Sequence, residues 1–179
     1  RSELDITKTS YHAYAYLRDH YDLLNSGSAL GNHCGPVLIA KSKVDPERLN
    51  EARIGIPGQY TTANLLLQLF LHRKLSCREY VFSNIENALL RNEIDAGVII
   101  HENRFTYASK GLIPIQDLGE FWEAYTHGPI PLGGIVMRKT LGHDAITACD
   151  RVLKRSVQFA LDHPDASRSY VKRLAQELE

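Results

Sequence analysis

Short β-rich apolar runs alternate along this chain with stretches of helical periodicity, and no other feature restricts its fold as much. Strands separated by helices are buried between layers, so the alternation points to parallel α/β layers and away from a bundle or a sandwich. Residues 36–41 (PVLIAK), 53–56 (RIGI), 79–82 (EYVF) and 96–101 (AGVIIH) read as the strands. Thr9 and Ser10 stand where a cap is needed, ahead of a helix to residue 25 whose Tyr14, Leu17, Tyr21 and Leu24 share one face. Ser26-Gly27-Ser28 ends it. Residues 61–74 (TTANLLLQLFLHRK) form a helix apolar on most sides, which requires burial. Ser83, with Glu86 three residues on, has the spacing of a capping box and opens a helix to Asn92. Farther on, Ile146, Cys149, Val152, Leu153, Val157 and Ala160 make a helical stripe within residues 142–161, and Pro164 separates it from a last helix over 166–178.

Between these elements, residues 112–141 read as irregular, punctuated by Pro114, Pro129, Pro131 and Gly133-Gly134 before the apolar run 135–137. The polar stretch 42–51 and this irregular one divide the chain into two α/β lobes. The second lobe is residues 42–133, around a β-α-β-α-β core at 53–101. The first is discontinuous and incomplete, residues 1–41 and 134–179.

Composition narrows the function. Twenty-one Lys and Arg balance 21 Asp and Glu, which leaves no excess charge to attract nucleic acid or an anionic membrane. The nine tyrosines, four of them within residues 11–21, lack the basic interleaving of a platform for stacked bases. A hydrophobic content of 44% supports a real core, and the chain reads as soluble. Its longest apolar run, 65–71, is interrupted by Gln68 and falls short of the roughly 18 residues of a membrane span. Cys34, Cys77 and Cys149 are odd in number and form no CxxC pair, which suits a reducing compartment and neither a disulfide framework nor a zinc ribbon. His12, His20, His72, His127, His143 and His163 lie at no metal-ligand spacing and His33-Cys34 is an isolated pair, so no metal site is expected. The opening Arg-Ser-Glu-Leu-Asp-Ile has neither initiator Met nor signal peptide, as in a fragment or a processed product.

Three places carry candidate chemistry. In IGIPGQYTTANLL a glycine turn feeds a helix start, where backbone N–H groups and the positive dipole end converge and Thr61 and Thr62 add hydroxyls. A carboxylate or another anion fits there; a plain helix cap is the competing reading. The segment has no Walker glycine-lysine run and no full GxGxxG, which disfavours nucleotide phosphate. His101 follows a buried strand directly and so falls at its carboxyl end, where open α/β sheets bind ligands. An imidazole there suits a general base, against a structural, hydrogen-bonded histidine as the alternative. Glu102, on an extended backbone, would face away from His101, whereas Arg104 and Thr106 reach the same crevice if the chain turns after Glu102. Lys8, Thr9 and Ser10 form a third cluster of donors at a helix start, or a cap beside a solvated lysine.

The runs ITKTSYHAYAYLRDHYDLLNSGSALG, GPVLIA, IPGQYTTANLLL, AGVIIHENRFTY, QDLGEFWE and PLGGIVMRKTLG, spread from about residue 5 to 178, together resemble the 1,4-dihydroxy-6-naphthoate synthase family of the futalosine route to menaquinone. The resemblance implies a two-lobe, periplasmic-binding-protein-like type II α/β fold with a cleft between the lobes. It implies a cytoplasmic carbon–carbon lyase that needs no metal or organic cofactor and converts cyclic dehypoxanthine futalosine, a small-molecule carboxylate, to dihydroxynaphthoate. By position it makes His101 the proton acceptor and Lys8, Thr9, Ser10, Thr61 and Thr62 the substrate contacts. Members of that family begin with a further strand carrying a Ser-Pro-Cys-Pro-Asn-Asp-like turn and end with further helices. Without them the first lobe here is partial. Two alternatives share the implied fold: chorismate dehydratase of the same pathway, and a non-catalytic solute-binding module for a carboxylate ligand.

Overall fold

The computed structural model describes residues 3–72 and 77–174. In chain order the elements are β1 (Ile6–Ser10), α1 (Tyr11–Leu17), β2 (Tyr21–Leu23), β3 (Ala29–Gly31), β4 (Val37–Ala40), β5 (Ile54–Ile56), α2 (Thr62–Phe70) and β6 (Arg78–Glu79). There follow α3 (Ile85–Leu90), β7 (Ala96–Ile99), α4 (Asn103–Thr106), β8 (Ile113–Asp117), α5 (Leu118–Thr126), β9 (Ile130–Arg138), α6 (His143–Asp162) and α7 (Pro164–Leu174). The chain divides into two compact units, one made of Arg1–Ala29 with Leu132–Glu179 and the other of Leu30–Pro131.

The second unit is built on a five-stranded sheet of order β6-β5-β7-β4-β8. β5 runs parallel to β6 and β7, but β4 is antiparallel to both β7 and β8, so the sheet is mixed and the all-parallel expectation fails at PVLIAK. All four residues of β4 are buried, which demands a partner strand on each side, and both partners lie in the second unit. This strand was assigned from sequence to the first lobe; the division falls at 29/30 and 131/132 instead of 41/42 and 133/134. Leu66 and Leu67 of α2 and Ile85, Ala88 and Leu89 of α3 are buried in this unit's core with Leu38, Ile39, Val98 and Ile99. The expected burial of α2 holds for Ala63, Leu66 and Leu67, while Leu69 stays exposed. The helix ends at Phe70; Arg73 and Lys74, expected within it, lie outside the described residues.

Two expectations fail for identifiable reasons. The capping box does not form: Ser83 is exposed in a single 3-10 turn ahead of α3, Asn84 makes no side-chain cap, and the Glu86 carboxylate turns inward. Residues 112–141 are ordered as β8, α5 and β9. Pro114 is tolerated because β8 is an edge strand whose pairing with β4 shifts register between Leu38 and Ile39. Asp117 starts α5 by accepting the Gly119 and Glu120 N–H groups on Oδ1, at 2.8 and 3.1 Å.

In the first unit β9 lies between β1 and β2 and is antiparallel to both. Ser10 pairs with Gly133, where a Cβ would come within 2.6 Å of the Thr9 carbonyl oxygen, so only glycine lets the strands close here. The helix expected to reach residue 25 stops at Leu17, because Tyr21 and Leu24, read as its apolar face, are buried in and just after a strand. Tyr21 pairs with Arg138, and its hydroxyl donates to the Leu4 carbonyl at 2.7 Å. The stripe over 142–161 becomes α6, and Pro164 takes the first position of α7 instead of preceding it, since a proline lacks only an N–H that a first-turn residue leaves unpaired. Residues 175–178 of the expected last helix lie outside the described residues.

The amino ends of β5 and β7 are tied by Arg53 and Asp95. Asp95 Oδ2 accepts the Arg53 backbone N–H at 2.8 Å and Nε at 3.0 Å, and Oδ1 accepts NH2 at 2.8 Å. The guanidinium, then the backbone N–H, holds the Asp95 carboxyl below its ordinary range. A carboxyl depressed in the folded state stabilises above its unfolded pKa and loses that contribution as pH falls through the folded value. Asp95→Asn is therefore expected to lower thermal stability slightly at pH 7 and progressively less as pH falls below the ordinary carboxyl range, as melting curves across a pH series would reveal. The effect is small because both side chains are substantially exposed.

Candidate active site

Because β5, β6 and β7 are mutually parallel, the segments that follow them emerge at one edge of the second unit's sheet. Ile54 pairs with Ala96 and Gly55 with Gly97, so the turn 57–61 and the start of α2 leave the sheet beside the turn that carries His101. Thr61, Thr62 and His101 are thus brought to the same edge, as their places after the strands suggested. Val37, opposite Ile99, and Asp117, opposite Val37, bring the beginning of β4 and the end of β8 to that edge too. Lys8, Thr9 and Ser10 belong to the other unit.

Each threonine hydroxyl is already engaged. Thr61 donates to the Gly58 carbonyl at 2.7 Å and accepts the Asn64 N–H at 3.2 Å as the cap of α2. Thr62 is buried and donates to the Pro131 carbonyl at 2.9 Å. Asn64 closes the turn with a 2.7 Å bond from its amide to the Gln59 carbonyl. What this edge offers an anion is chiefly the first-turn amides and dipole of α2, on a frame the threonines hold in shape.

Lys8, Thr9 and Ser10 lie on β1 and not at a helix start as expected; only Ser10 caps α1, accepting the Ala13 N–H at 3.0 Å. Strand alternation puts Lys8 and Ser10 on one face and Thr9 on the other, so the three side chains do not form a single cluster of donors.

His101 lies two residues past β7 and adopts a left-handed backbone with φ of +57°. For a non-glycine residue that conformation costs on the order of 1 kcal/mol, which neighbouring contacts must offset. The side chain is exposed, and among the described residues its ring makes no hydrogen bond or ion pair. Among the described residues its ring packs on Phe82, edge to face, with centroids 5.4 Å apart and planes at 72°. The chain turns at His101 itself, so the extended backbone expected around Glu102 is absent. Arg104 turns back to the sheet: Nη1 donates to the Gly35 carbonyl and Nη2 to Asp117 Oδ2 at 2.9 Å, with the side chain 19% exposed. It serves there as a brace. The Thr106 hydroxyl is buried without a hydrogen-bond partner among the described residues.

Sequence patterns missed Phe82, Glu86, Asn103 and Asp117 as parts of this edge. Asp117 carried a legible signal, an acidic residue ahead of LGEFWEAY with its helical apolar spacing. Glu86 and Asn103 carried none, because their bond joins residues 17 apart. Among the described residues no three His, Cys, Asp or Glu groups gather closely enough to hold a metal ion, and no helix is long and apolar enough to cross a membrane.

A family model described as menaquinone biosynthesis matches residues 1–179. The chain belongs to the menaquinone biosynthesis family. Two relatives agree in name: a 1,4-dihydroxy-6-naphtoate synthase of Thermus thermophilus is 42% identical over 175 residues, 98% of this chain and 63% of that protein. Another of the same name from Streptomyces coelicolor is 40% identical over 184 residues, covering all of this chain and 64% of the relative. This menaquinone biosynthesis chain thus spans just under two thirds of the length of the relatives it matches. A crystal structure of an Archaeoglobus fulgidus protein superposes with a TM-score of 0.88 at 38% identity over 99% of this chain and 66% of that one. The ligand-binding component of an ABC-type import system from Staphylococcus aureus, solved with zinc bound, gives a TM-score of 0.65 at 16% identity over 98% of this chain and 62% of that one. That distant likeness concerns the fold alone, the α/β architecture of two-lobe, periplasmic-binding-protein-like substrate-binding proteins.

Proposed function

We propose that the chain carries the lyase chemistry of a 1,4-dihydroxy-6-naphthoate synthase, converting cyclic dehypoxanthine futalosine to 1,4-dihydroxy-6-naphthoate with His101 as the proton acceptor. The observation that carries the reading is His101 itself: an exposed imidazole in a left-handed turn at the carboxyl edge of parallel strands, beside a helix start that attracts anions, in a chain of the menaquinone biosynthesis family. In the proposed step the imidazole takes a proton from the substrate. The electron pair released expels the sugar-derived fragment, and the ring left behind becomes aromatic. The start of α2, framed by Thr61 and Thr62, holds the substrate carboxylate. The cytoplasm as its compartment belongs to the same proposal.

The test is to incubate the full-length protein with cyclic dehypoxanthine futalosine and follow the naphthoate product by absorbance and mass. Stoichiometric formation over many turnovers is expected. Binding without product would turn the reading into a solute-binding module, and turnover confined to the dehydratase substrate chorismate would turn it into the neighbouring enzyme.

A further inference from the structure

We propose that Phe82, in the 3-10 turn ahead of α3, and Glu86, in the first turn of α3, are positioning residues that hold His101 at the sheet edge; the inference rests on the reading of His101 as proton acceptor. An unsupported histidine in a left-handed turn would sample other backbone states, because that conformation is disfavoured for a residue with a Cβ. Two supports come from residues 82–86. The Phe82 ring packs edge to face on the imidazole and restricts its side-chain rotation.

Glu86, only 1% exposed, spends one carboxylate oxygen on the segment just past His101: Oε2 accepts Asn103 Nδ2 at 2.6 Å and Lys110 Nζ at 2.7 Å. Oε1 and Asn103 Oδ1 are buried with no hydrogen-bond partner among the described residues. A buried carboxylate is expensive unless paired, so this one is satisfied only while residues 103–110 stay folded against it. That requirement anchors the turn two residues after His101, and the Arg104 N–H closes it on the His101 carbonyl at 3.3 Å. On the far side Arg104 braces the same segment against Gly35 and Asp117. The imidazole, which makes no hydrogen bond of its own among the described residues, is thus oriented by packing and by the backbone it stands on.

The experiment combines kinetics with a signal that does not depend on turnover. The full-length protein is labelled with 13C-histidine, the His101 ring resonance is assigned by its loss in His101→Asn, and kcat and KM are measured for Phe82→Leu, Phe82→Tyr, Glu86→Leu and Glu86→Gln. Asp95→Asn, at the opposite edge of the sheet, serves as control.

Phe82→Leu and Glu86→Leu are expected to lower kcat at least tenfold with KM changed less than threefold, and to move or broaden the His101 resonance. Phe82→Tyr, which keeps the ring, and Glu86→Gln, which keeps an acceptor for Asn103, are expected to recover most of kcat. Asp95→Asn is expected to leave both readouts alone. A His101 resonance unmoved in Phe82→Leu and Glu86→Leu, or a kcat within twofold of the unsubstituted protein, overturns the positioning role while leaving the proton acceptor intact. Full turnover in His101→Asn overturns the acceptor itself. Should Glu86→Leu fail to fold, Phe82→Leu with its rescue by Phe82→Tyr decides alone.

Discussion

Replacing His101 with Asn is expected to lower turnover of cyclic dehypoxanthine futalosine by about 10²–10⁴-fold, the range for removing a general base. At 1.36 kcal/mol per decade this is a loss of ~3–5 kcal/mol of transition-state stabilisation. Asparagine keeps the polar character and approximate reach of the side chain but has no nitrogen able to take up a proton. It also tolerates the left-handed backbone better than most residues, so φ of +57° is not the reason for the loss. Substrate affinity should change little, because the proposed anion-binding groups stand on α2 and not on the imidazole turn. Equilibrium binding alongside single-turnover kinetics separates the two effects. Weakened binding with undiminished chemistry would mean that His101 is a contact and not a base.

Gly35→Ala is expected to be the most damaging single change to stability among those considered. A Cβ at Gly35 would overlap the Gly119 Cα and come within 2.5 Å of its backbone nitrogen. Neither atom belongs to a side chain that can swing aside. The beginning of β4 must then part from the first turn of α5, which strains the Asp117 cap and the bond from Arg104 to the Gly35 carbonyl. Overpacking of this kind costs about 3 kcal/mol or more. With roughly 2–4 °C lost per kcal/mol in a chain of this size, the melting temperature should fall by about 6–12 °C. Thermal denaturation of the two proteins side by side measures it, and an unchanged melting temperature would show that the two segments move apart without penalty.

The strands of the second unit were legible because burial on both faces writes them as unbroken apolar runs, as in PVLIAK and AGVII. Their directions were not, since nothing local to PVLIAK says that it inserts antiparallel between β7 and β8. Tyr14, Leu17, Tyr21 and Leu24 kept helical spacing by coincidence, two residues in a helix and two at a strand. A short polar turn at 18–20 outweighed the periodicity. Pro114 hid β8 for the same kind of reason: a proline argues against a strand unless the strand is an edge, and edge position is a property of the finished sheet. At the candidate site, the place of His101 at the sheet edge was legible because a single position after a single strand defined it. Its supports could not, because the pair Glu86–Asn103 and the brace from Arg104 to Asp117 exist only once separate segments have met.

The order of strands in the first sheet bears on how the chain is made. β1 and β2 flank β9 and bond to it, so Ile6 waits for Met137 and Tyr21 for Arg138. Every strand of the other sheet precedes β9 in the chain, the last of them ending at Asp117, and so leaves the ribosome before it. On the ribosome the inserted unit can therefore close its ladder while β1 and β2 still lack β9, so these two strands gain that partner only after the unit encoded between them and β9 is complete.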